Sequence, residues 1–225
     1  MYEYLFRSLY SFYFIINKKH ITIQRYNKTN KKLKNNNNTN TFMPIRITIS
    51  GLAGAGKSTV ADIITNKLKI NRYSTGDYMR TMAAARGVSL IELNKKAETD
   101  QSIDNELDGF LKKLEKDKKQ EFIIDSRLGF HFIPSAIKVF LKADIKERAK
   151  RIFPTKRLTE RNTTLNKTIE DMKKRMKLEQ DRYKKKYNAD YLDFSKYDLV
   201  IDTTKISAEE VADKIIKFVK ITTKK

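Results

Sequence analysis

The sequence predicts an α/β fold in which a five-stranded parallel sheet lies between two layers of helices. Two observations lead to this prediction. From residue 45 onward, short apolar runs rich in β-branched residues alternate with longer segments of helical spacing, and no internal repeat is evident. The apolar runs are nearly continuous, as in parallel strands that are buried on both faces of a sheet.

Each element follows from its local sequence. Strands are expected where apolar runs are short, and helices where apolar residues recur every three or four positions. Within 75–117 the segments GVSL and DQSID interrupt the helical pattern and supply Ser and Asp caps, so three polar helices are expected there. The predicted strands are 45–50, 71–74, 121–125, 136–143 and 197–203, and the other predicted helices are 58–69, 144–152, 168–187 and 207–219.

Residues 1–42 differ in composition from the rest of the chain. They contain an aromatic, apolar run followed by the Asn-rich segment NKTNKKLKNNNNTNTF, which is typical of disordered sequence. The apolar run from Leu9 to Ile16 is far shorter than the ~20 residues needed to cross a bilayer. We expect 1–42 to be a disordered extension outside the fold, or to precede a true start at Met43. The alternatives for this segment are a targeting segment and a surface-binding arm. We expect the folded domain to comprise residues 43–225.

The charge of the chain is strongly positive, with 48 Lys and Arg against 27 Asp and Glu and a formal net charge of +21. Such a charge attracts polyanions, but Lys is abundant throughout, and we interpret much of the excess as solvated surface. With no cysteine and two histidines, the chain excludes disulfides, thiolate metal sites, cysteine nucleophiles and a histidine metal cluster. The absence of cysteine fits a reducing compartment, and the expected location is the cytoplasm.

The segment GLAGAGKST carries the strongest functional signal. Gly51, Gly56, Lys57 and Ser58 match the pattern of a phosphate-binding loop (P-loop) between a strand and a helix. There, glycines let backbone N–H groups turn toward phosphates, the lysine supplies a point charge and the serine ligates Mg²⁺. A dinucleotide fingerprint would need glycine at position 59, which is Thr. The sequence therefore predicts a P-loop protein that binds a nucleoside triphosphate together with Mg²⁺. The predicted triphosphate-binding residues, which the family resemblance described below assigns to ATP, are Gly51, Leu52, Ala53, Gly54, Ala55, Gly56, Lys57, Ser58 and Thr59.

Two further segments end predicted strands at the same edge of the sheet. STGDYMR contains Arg80, and IIDSR contains Asp125 and Arg127. Ligands of doubly wound sheets bind at the carboxyl ends of the strands, so these three residues are expected to converge beside the P-loop. An unpaired arginine directly after a buried strand is costly, and its natural partner is the phosphate of a second substrate. Asp125 is interpreted as a carboxylate that positions Mg²⁺ or as the base for the acceptor, with a structural cap as the alternative.

The polar segment 153–167 carries Arg157 and Arg161, and the long charged helix after it carries Arg175 and Arg182. Seven residues span about two helical turns, which puts Arg175 and Arg182 on one face of that helix. We interpret 153–167 as a lid, and the arginines as groups that neutralise a migrating phosphoryl group. A solvated charged face is the alternative.

Six segments together resemble the cytidylate kinase family, in particular its short archaeal-type branch: ITISGLAGAGKSTVA, STGDYMR, IIDSR, VFLKADIKERAKRI, RMKLEQDRYKKKY and YDLVIDTT. The resemblance covers about Ile45 to Val219. It implies transfer of the γ-phosphoryl group of ATP to CMP or dCMP, giving ADP and CDP or dCDP, with a short monophosphate-binding insertion at about 75–118. By this resemblance the catalytic residues are Lys57, Asp125, Arg127, Arg175 and Arg182. The monophosphate-binding residues are Thr75, Arg80, Arg127 and Arg148, and the metal ligands are Ser58 and Asp125.

Ser126 departs from the family pattern, which often has Glu-Gly-Arg where this chain has Asp125-Ser126-Arg127. The choice of cytosine comes from the resemblance alone. A kinase of another acceptor (UMP, AMP, shikimate or dephospho-coenzyme A) is the near alternative, and a nucleic-acid-stimulated ATPase is the distant one. Aromatic residues are not interleaved with the basic ones as in a nucleic-acid platform, so neither nucleic acid nor a membrane is the expected partner. We expect a monomer that binds ATP and a nucleoside monophosphate.

Overall fold

The computed structural model describes residues 21–23, 43–88, 90–153 and 164–223. The strands in these residues are β1 (Ile21–Ile23), β2 (Arg46–Gly51), β3 (Asn71–Ser74), β4 (Phe122–Asp125), β5 (Ile137–Lys142) and β6 (Leu199–Asp202). Their order across the sheet is β1-β6-β5-β2-β4-β3. From β3 to β6 every neighbouring pair is parallel, which confirms the predicted five-stranded parallel sheet.

The helices follow the predicted alternation with the strands. They are α1 (Lys57–Leu68), α2 (Thr75–Ala85), α3 (Leu90–Lys96), α4 (Gln101–Lys116), α5 (Gly129–Phe132), α6 (Ile145–Ile152), α7 (Leu165–Tyr187) and α8 (Ala208–Thr223). The three polar helices expected within 75–117 are α2, α3 and α4, whereas the short α5 was not predicted. No helix in the described part of the chain is both long enough and apolar enough to cross a membrane.

Apolar residues pack on both faces of the sheet, as a three-layer arrangement requires. On one face Ile47 of β2 packs in a cluster with Ile64 of α1 and Ile215 of α8. On the other face Leu111 of α4 and Tyr197, just before β6, belong to the clusters that cover the sheet. Full burial of a large apolar side chain stabilises the fold by roughly 1.5–3 kcal/mol, so these two faces hold the sheet in place beneath the site.

The segment formed by α2, α3 and α4 has a small core of its own. Its buried members include Met79, Met82, Leu93 and Ile103. This separate packing fits the interpretation of about 75–118 as an insertion in the sheet topology. The role of this segment in binding a monophosphate remains a prediction.

One strand departs from the prediction that residues 1–42 lie outside the fold. β1 pairs antiparallel with β6, with Ile21 opposite Ile201 and Ile23 opposite Leu199. The sequence does carry a signal, because Ile-Thr-Ile is a β-branched run within a polar segment. The pairing adds a sixth strand beside β6, and the remainder of 1–42 lies outside the described residues.

Candidate active site

The carboxyl ends of β2, β3 and β4 meet at one edge of the sheet. In the parallel register Ile49 is opposite Asp125, and Asp125 is opposite Ser74. The next residue, Thr75, donates a hydrogen bond from Oγ1 to the carbonyl of Asp125 (3.3 Å). The structure therefore brings Thr75 and Asp125 together at the edge where the loop after β2 begins.

Glycine is required in that loop for two different reasons. Gly51 has a φ of +148°, and a Cβ there would lie 2.3 Å from the carbonyl oxygen of Leu141 in β5. A Cβ on Gly54, whose φ is +79°, would lie 2.6 Å from the carbonyl oxygen of Arg148. At Gly56 the position is open, but its φ of +90° is one that other residues rarely adopt. α1 begins at the next residue, so its N–H groups face the loop and suit an anion.

Lys57 is folded back onto this loop. Its Nζ donates to the carbonyl of Leu52 at 3.2 Å. Burial lowers the pKa of Lys57 to about 8, against the opposing effect of the nearby Asp125 carboxylate. An ammonium group with so little solvation gains strongly from an added anion, which is what a triphosphate supplies.

Ser58 and Asp125 are in direct contact, with Ser58 Oγ donating to Asp125 Oδ2 at 2.8 Å. Hydroxyl and carboxylate oxygens are the hard ligands that Mg²⁺ prefers, and Mg²⁺ is usually held by one or two protein oxygens together with phosphates and water. No group of three or more His, Cys, Asp or Glu side chains in the described residues forms a metal cluster. The pair therefore fits a magnesium ion that arrives with a nucleotide.

Arg127 is bound on two sides. Its Nε donates to Glu179 Oε2 of α7 at 2.6 Å, and its Nη1 donates to the carbonyl of Gly51. Arg175 donates from Nε to the other oxygen of Glu179 at 2.9 Å. Although burial raises the pKa of the Glu179 carboxyl, the two guanidinium groups outweigh it and hold the pKa below its usual value.

Glu179 is the principal site residue that the sequence analysis missed. It is one of several charged residues on α7, and nothing in its immediate sequence distinguishes it. The available signal was its position four residues after Arg175, which is the spacing of a helical ion pair.

Arg148 was predicted as a ligand of the monophosphate, but its hydrogen bonds go to backbone carbonyls near the P-loop. Nε donates to Ala143 (3.0 Å) and Nη1 to Ala53 (3.2 Å). Burial, together with the charge of Arg127, lowers the pKa of the Arg148 guanidinium. The residue is thus placed against the P-loop backbone, because it projects from the start of α6 beneath the loop.

Arg151, one turn further along α6, was not predicted at all. Its Nη2 donates to the carbonyl of Thr203 at 2.7 Å, and the Thr203 hydroxyl donates to the carbonyl of Ala55 at 3.1 Å. These bonds attach the end of the P-loop to the loop after β6, so the two loops keep a fixed separation.

Arg182 does not join the cluster around Arg127, contrary to the prediction that it acts with Arg175. It pairs with the buried Asp104 of α4, which Lys186 also contacts at 2.7 Å. Seven residues on a helix correspond to about 10 Å along its axis, so Arg175 and Arg182 reach different neighbours even though they share a face. Next to this pair, Tyr187 donates its hydroxyl to Asp108 at 3.1 Å.

Arg80 is likewise not brought to Asp125. Its guanidinium pairs with Asp77 in its own helix, its side chain is 56% exposed, and Arg72 contacts the same carboxylate. Thr59 is exposed on the first turn of α1. Arg157, Arg161 and most of the predicted lid lie outside the described residues.

Comparison with known proteins agrees with the geometry. The model of the cytidylate kinase-like family matches residues 46–205. A cytidylate kinase from Sulfolobus acidocaldarius is 37% identical over 175 residues, which is 76% of this chain and 92% of that protein. An S-adenosylmethionine-dependent nucleotide dehydratase from Lacinutrix mariniflava is 39% identical over 176 residues. That match takes in 78% of this chain but 36% of the dehydratase, so the chain spans about a third of its length.

Among solved structures, a shikimate kinase from Acinetobacter baumannii in complex with shikimate has a TM-score of 0.54 and 17% identity, and the match covers 82% of this chain and 98% of that one. A likeness at this identity concerns the fold alone. It confirms the three-layer P-loop architecture that the sequence predicts.

Proposed function

This chain belongs to the cytidylate kinase-like family, and we propose that it transfers the γ-phosphoryl group of ATP to CMP and dCMP, giving ADP and CDP or dCDP. The observation that carries the proposal is the excess of cations beside the P-loop. Around Glu179 and Asp125 lie four cationic side chains: Lys57, Arg127, Arg148 and Arg175. Asp144 is a third carboxylate within electrostatic range of Arg148. Four cations against three carboxylates still leave the site positive, and a reaction between two phosphates needs that charge.

The nucleoside triphosphate is expected on the P-loop, where the N-terminus of α1 and Lys57 meet its phosphates. Lys57 would then exchange the carbonyl of Leu52 for phosphate oxygens. Ser58 and Asp125 would hold Mg²⁺, whose charge offsets that of the phosphates when it is bound.

The acceptor phosphate is expected at Arg127. The guanidinium already contacts the P-loop at Gly51, so a phosphate bound to it lies directly beside the triphosphate. Glu179 keeps the guanidinium in place, and the second carboxylate oxygen orients Arg175 toward the same region. The protein's role in this scheme is to align two phosphates and to stabilise their charge, because phosphoryl transfer needs little covalent chemistry from the enzyme.

The choice of CMP and dCMP rests on the family and on the cytidylate kinases among the relatives. Other nucleoside monophosphates are compatible with the same cations. A monomer and a cytoplasmic location also remain predictions of the sequence.

The test is ADP formation by the full chain with ATP and Mg²⁺, using CMP, dCMP, UMP, AMP and RNA in separate reactions. We expect ADP to form in proportion to added CMP or dCMP. Equal activity with UMP or AMP would keep the transfer reaction and contradict the choice of base. Stimulation by RNA alone would overturn the kinase proposal in favour of a nucleic-acid-dependent ATPase.

A further inference from the structure

Tyr191 is a fully buried residue between α7 and β6, with 0% of its surface exposed. Its ring packs edge-on against Tyr183 (5.9 Å between centroids), and the Arg127 guanidinium lies over its face at 5.6 Å. Its hydroxyl, however, has no hydrogen-bond partner among the described residues. Buried hydroxyls are almost always paired, so this one needs an explanation.

A neighbouring tyrosine shows that the surrounding structure can pair a buried phenol. Tyr197 belongs to the same cluster and is 1% exposed. Its hydroxyl donates to the carbonyl of Tyr191 at 2.9 Å. The two residues have the same chemistry and burial, and they differ in whether the fold supplies an acceptor.

The Tyr191 side chain lines a narrow cleft between the P-loop and α7. Its lining combines Leu52 and Ala53 of the P-loop with Arg127, Arg175 and Glu179. The hydroxyl is within electrostatic range of both Arg127 and Arg148. Burial raises the pKa of Tyr191 to about 12, so the hydroxyl keeps its proton and remains a donor.

The described residues supply no acceptor to this hydroxyl, so its partner must enter the cleft from outside the protein. Glu179, the carboxylate in the lining, is already bound by Arg127 and Arg175. An oxygen of a phosphoryl group satisfies the phenol and the arginines together, because it offers several acceptor positions and negative charge.

We propose that the Tyr191 hydroxyl donates a hydrogen bond to the γ-phosphoryl group of the bound triphosphate. The position is inferred from the lining of the cleft, which brings P-loop residues together with Arg127, the expected ligand of the acceptor phosphate. This inference rests on the proposed function in requiring a triphosphate on the P-loop, but it does not depend on which acceptor is used.

The experiment compares Tyr191→Phe with Tyr197→Phe in the full chain. Binding of Mg²⁺–ADP and of Mg²⁺ with a non-hydrolysable ATP analogue is measured by titration calorimetry. For Tyr191→Phe we expect analogue affinity to fall ~10-fold or more while ADP affinity stays within about twofold, because a hydrogen bond to a charged group is lost only with the γ-phosphoryl group. kcat/KM with CMP should fall at least as much.

Thermal unfolding separates this role from a structural one. Tyr191→Phe removes a hydroxyl that has no partner, so its unfolding midpoint should be no lower than that of the wild type. Tyr197→Phe removes a hydrogen bond, so its midpoint should fall, and it gives the stability cost of losing a paired buried phenol for comparison. A Tyr191→Phe protein that is less stable, fails to fold, or binds the analogue and ADP as the wild type does would overturn the proposal.

If no monophosphate is phosphorylated by the wild type, the proposed function fails, whereas the comparison of analogue and ADP still decides the role of Tyr191.

Discussion

Two ion clusters contact α7 at successive turns, and they differ in how their cations are paired. The P-loop cluster consists of Lys57, Asp125, Arg127, Arg148, Arg175 and Glu179, and the insertion cluster consists of Asp104, Asp108, Arg182, Lys186 and Tyr187. In the first, Lys57 and Arg148 donate to backbone carbonyls rather than to carboxylates, whereas in the second both Arg182 and Lys186 bond directly to Asp104. The first cluster therefore has cationic groups that an anion can still neutralise.

The comparison also distinguishes two arginines to which the sequence analysis gave the same role. Arg175 and Arg182 lie on one helix face, but Arg175 belongs to the P-loop cluster. Arg182 pairs with Asp104, which is 4% exposed. We therefore interpret the insertion cluster as a cross-link that holds α4 against α7. The P-loop cluster is interpreted as the phosphate site.

The largest effect is expected for Lys57→Ala. Loss of the charge that meets the phosphates should lower kcat by roughly 10³-fold or more, measured as ADP formation at saturating ATP and CMP. Stability should not fall, because burial of this ammonium is unfavourable in the absence of a nucleotide. Lys67→Ala, at the exposed other end of α1, is the matched control and should keep full activity. Normal turnover by Lys57→Ala would contradict the assignment of the P-loop cluster to phosphoryl transfer.

Arg127→Ala is expected to have the next largest effect. It should raise the KM for CMP and lower kcat, with kcat/KM reduced ~10²-fold, because a bidentate charged contact to the acceptor phosphate is lost. Steady-state kinetics with each substrate varied in turn provides the measurement. Arg86→Ala, which breaks a surface pair with Glu106, should change kcat/KM less than twofold. A change confined to the KM for ATP would contradict the assignment of Arg127 to the acceptor.

Asp104→Ala tests the other half of the comparison. Removing the shared carboxylate leaves Arg182 and Lys186 without their partner, and we expect a loss of about 3 kcal/mol in the free energy of unfolding by urea. Asp213→Ala removes an exposed carboxylate paired with Lys67 and should cost about 0.5 kcal/mol or less. If Asp104→Ala kept its stability but lost activity, the insertion cluster would belong to the substrate site and the distinction between the clusters would fail.

The smallest effect is a pH dependence that Glu179→Gln should remove. Because the pKa of Glu179 is lowered in the folded protein, the ionised carboxylate stabilises the fold above its unfolded pKa of about 4.5, and this contribution is lost as the pH falls through the folded pKa. At pH 7 the variant should be less stable by about 1 kcal/mol, and the difference should disappear in acid. Urea unfolding from pH 3 to 7 measures it, and a gap that stayed constant with pH would show that Glu179 is not stabilised as an anion.

Much of this site follows from local sequence. The P-loop, Asp125 and Arg127 could be placed because each lies at or just after the end of a buried strand, and parallel strands end at one edge. The partners of these residues could not be placed in the same way. Arg127 and Glu179 are 52 residues apart, and Arg182 and Asp104 are 78 apart. Such pairings depend on how α7 packs across the sheet and the insertion, which no single segment determines.

β1 illustrates the same limit. Its three residues are a plausible strand in isolation, but a strand of this length forms only where an edge is available for pairing. The edge is that of β6, about 180 residues later, and the composition of the surrounding segment favoured disorder.

Gly51 is fixed by its neighbour β5 as much as by any nucleotide. A methyl group at this position would meet the carbonyl of Leu141 whether or not the loop were occupied. In a descendant that no longer needed ATP, Lys57 and Ser58 would be released from selection, but Gly51 would persist for as long as β2 and β5 remained adjacent. An evolutionary loss of catalysis in this lineage would therefore be recorded at the lysine and the serine, while the first glycine of the loop continued to look conserved.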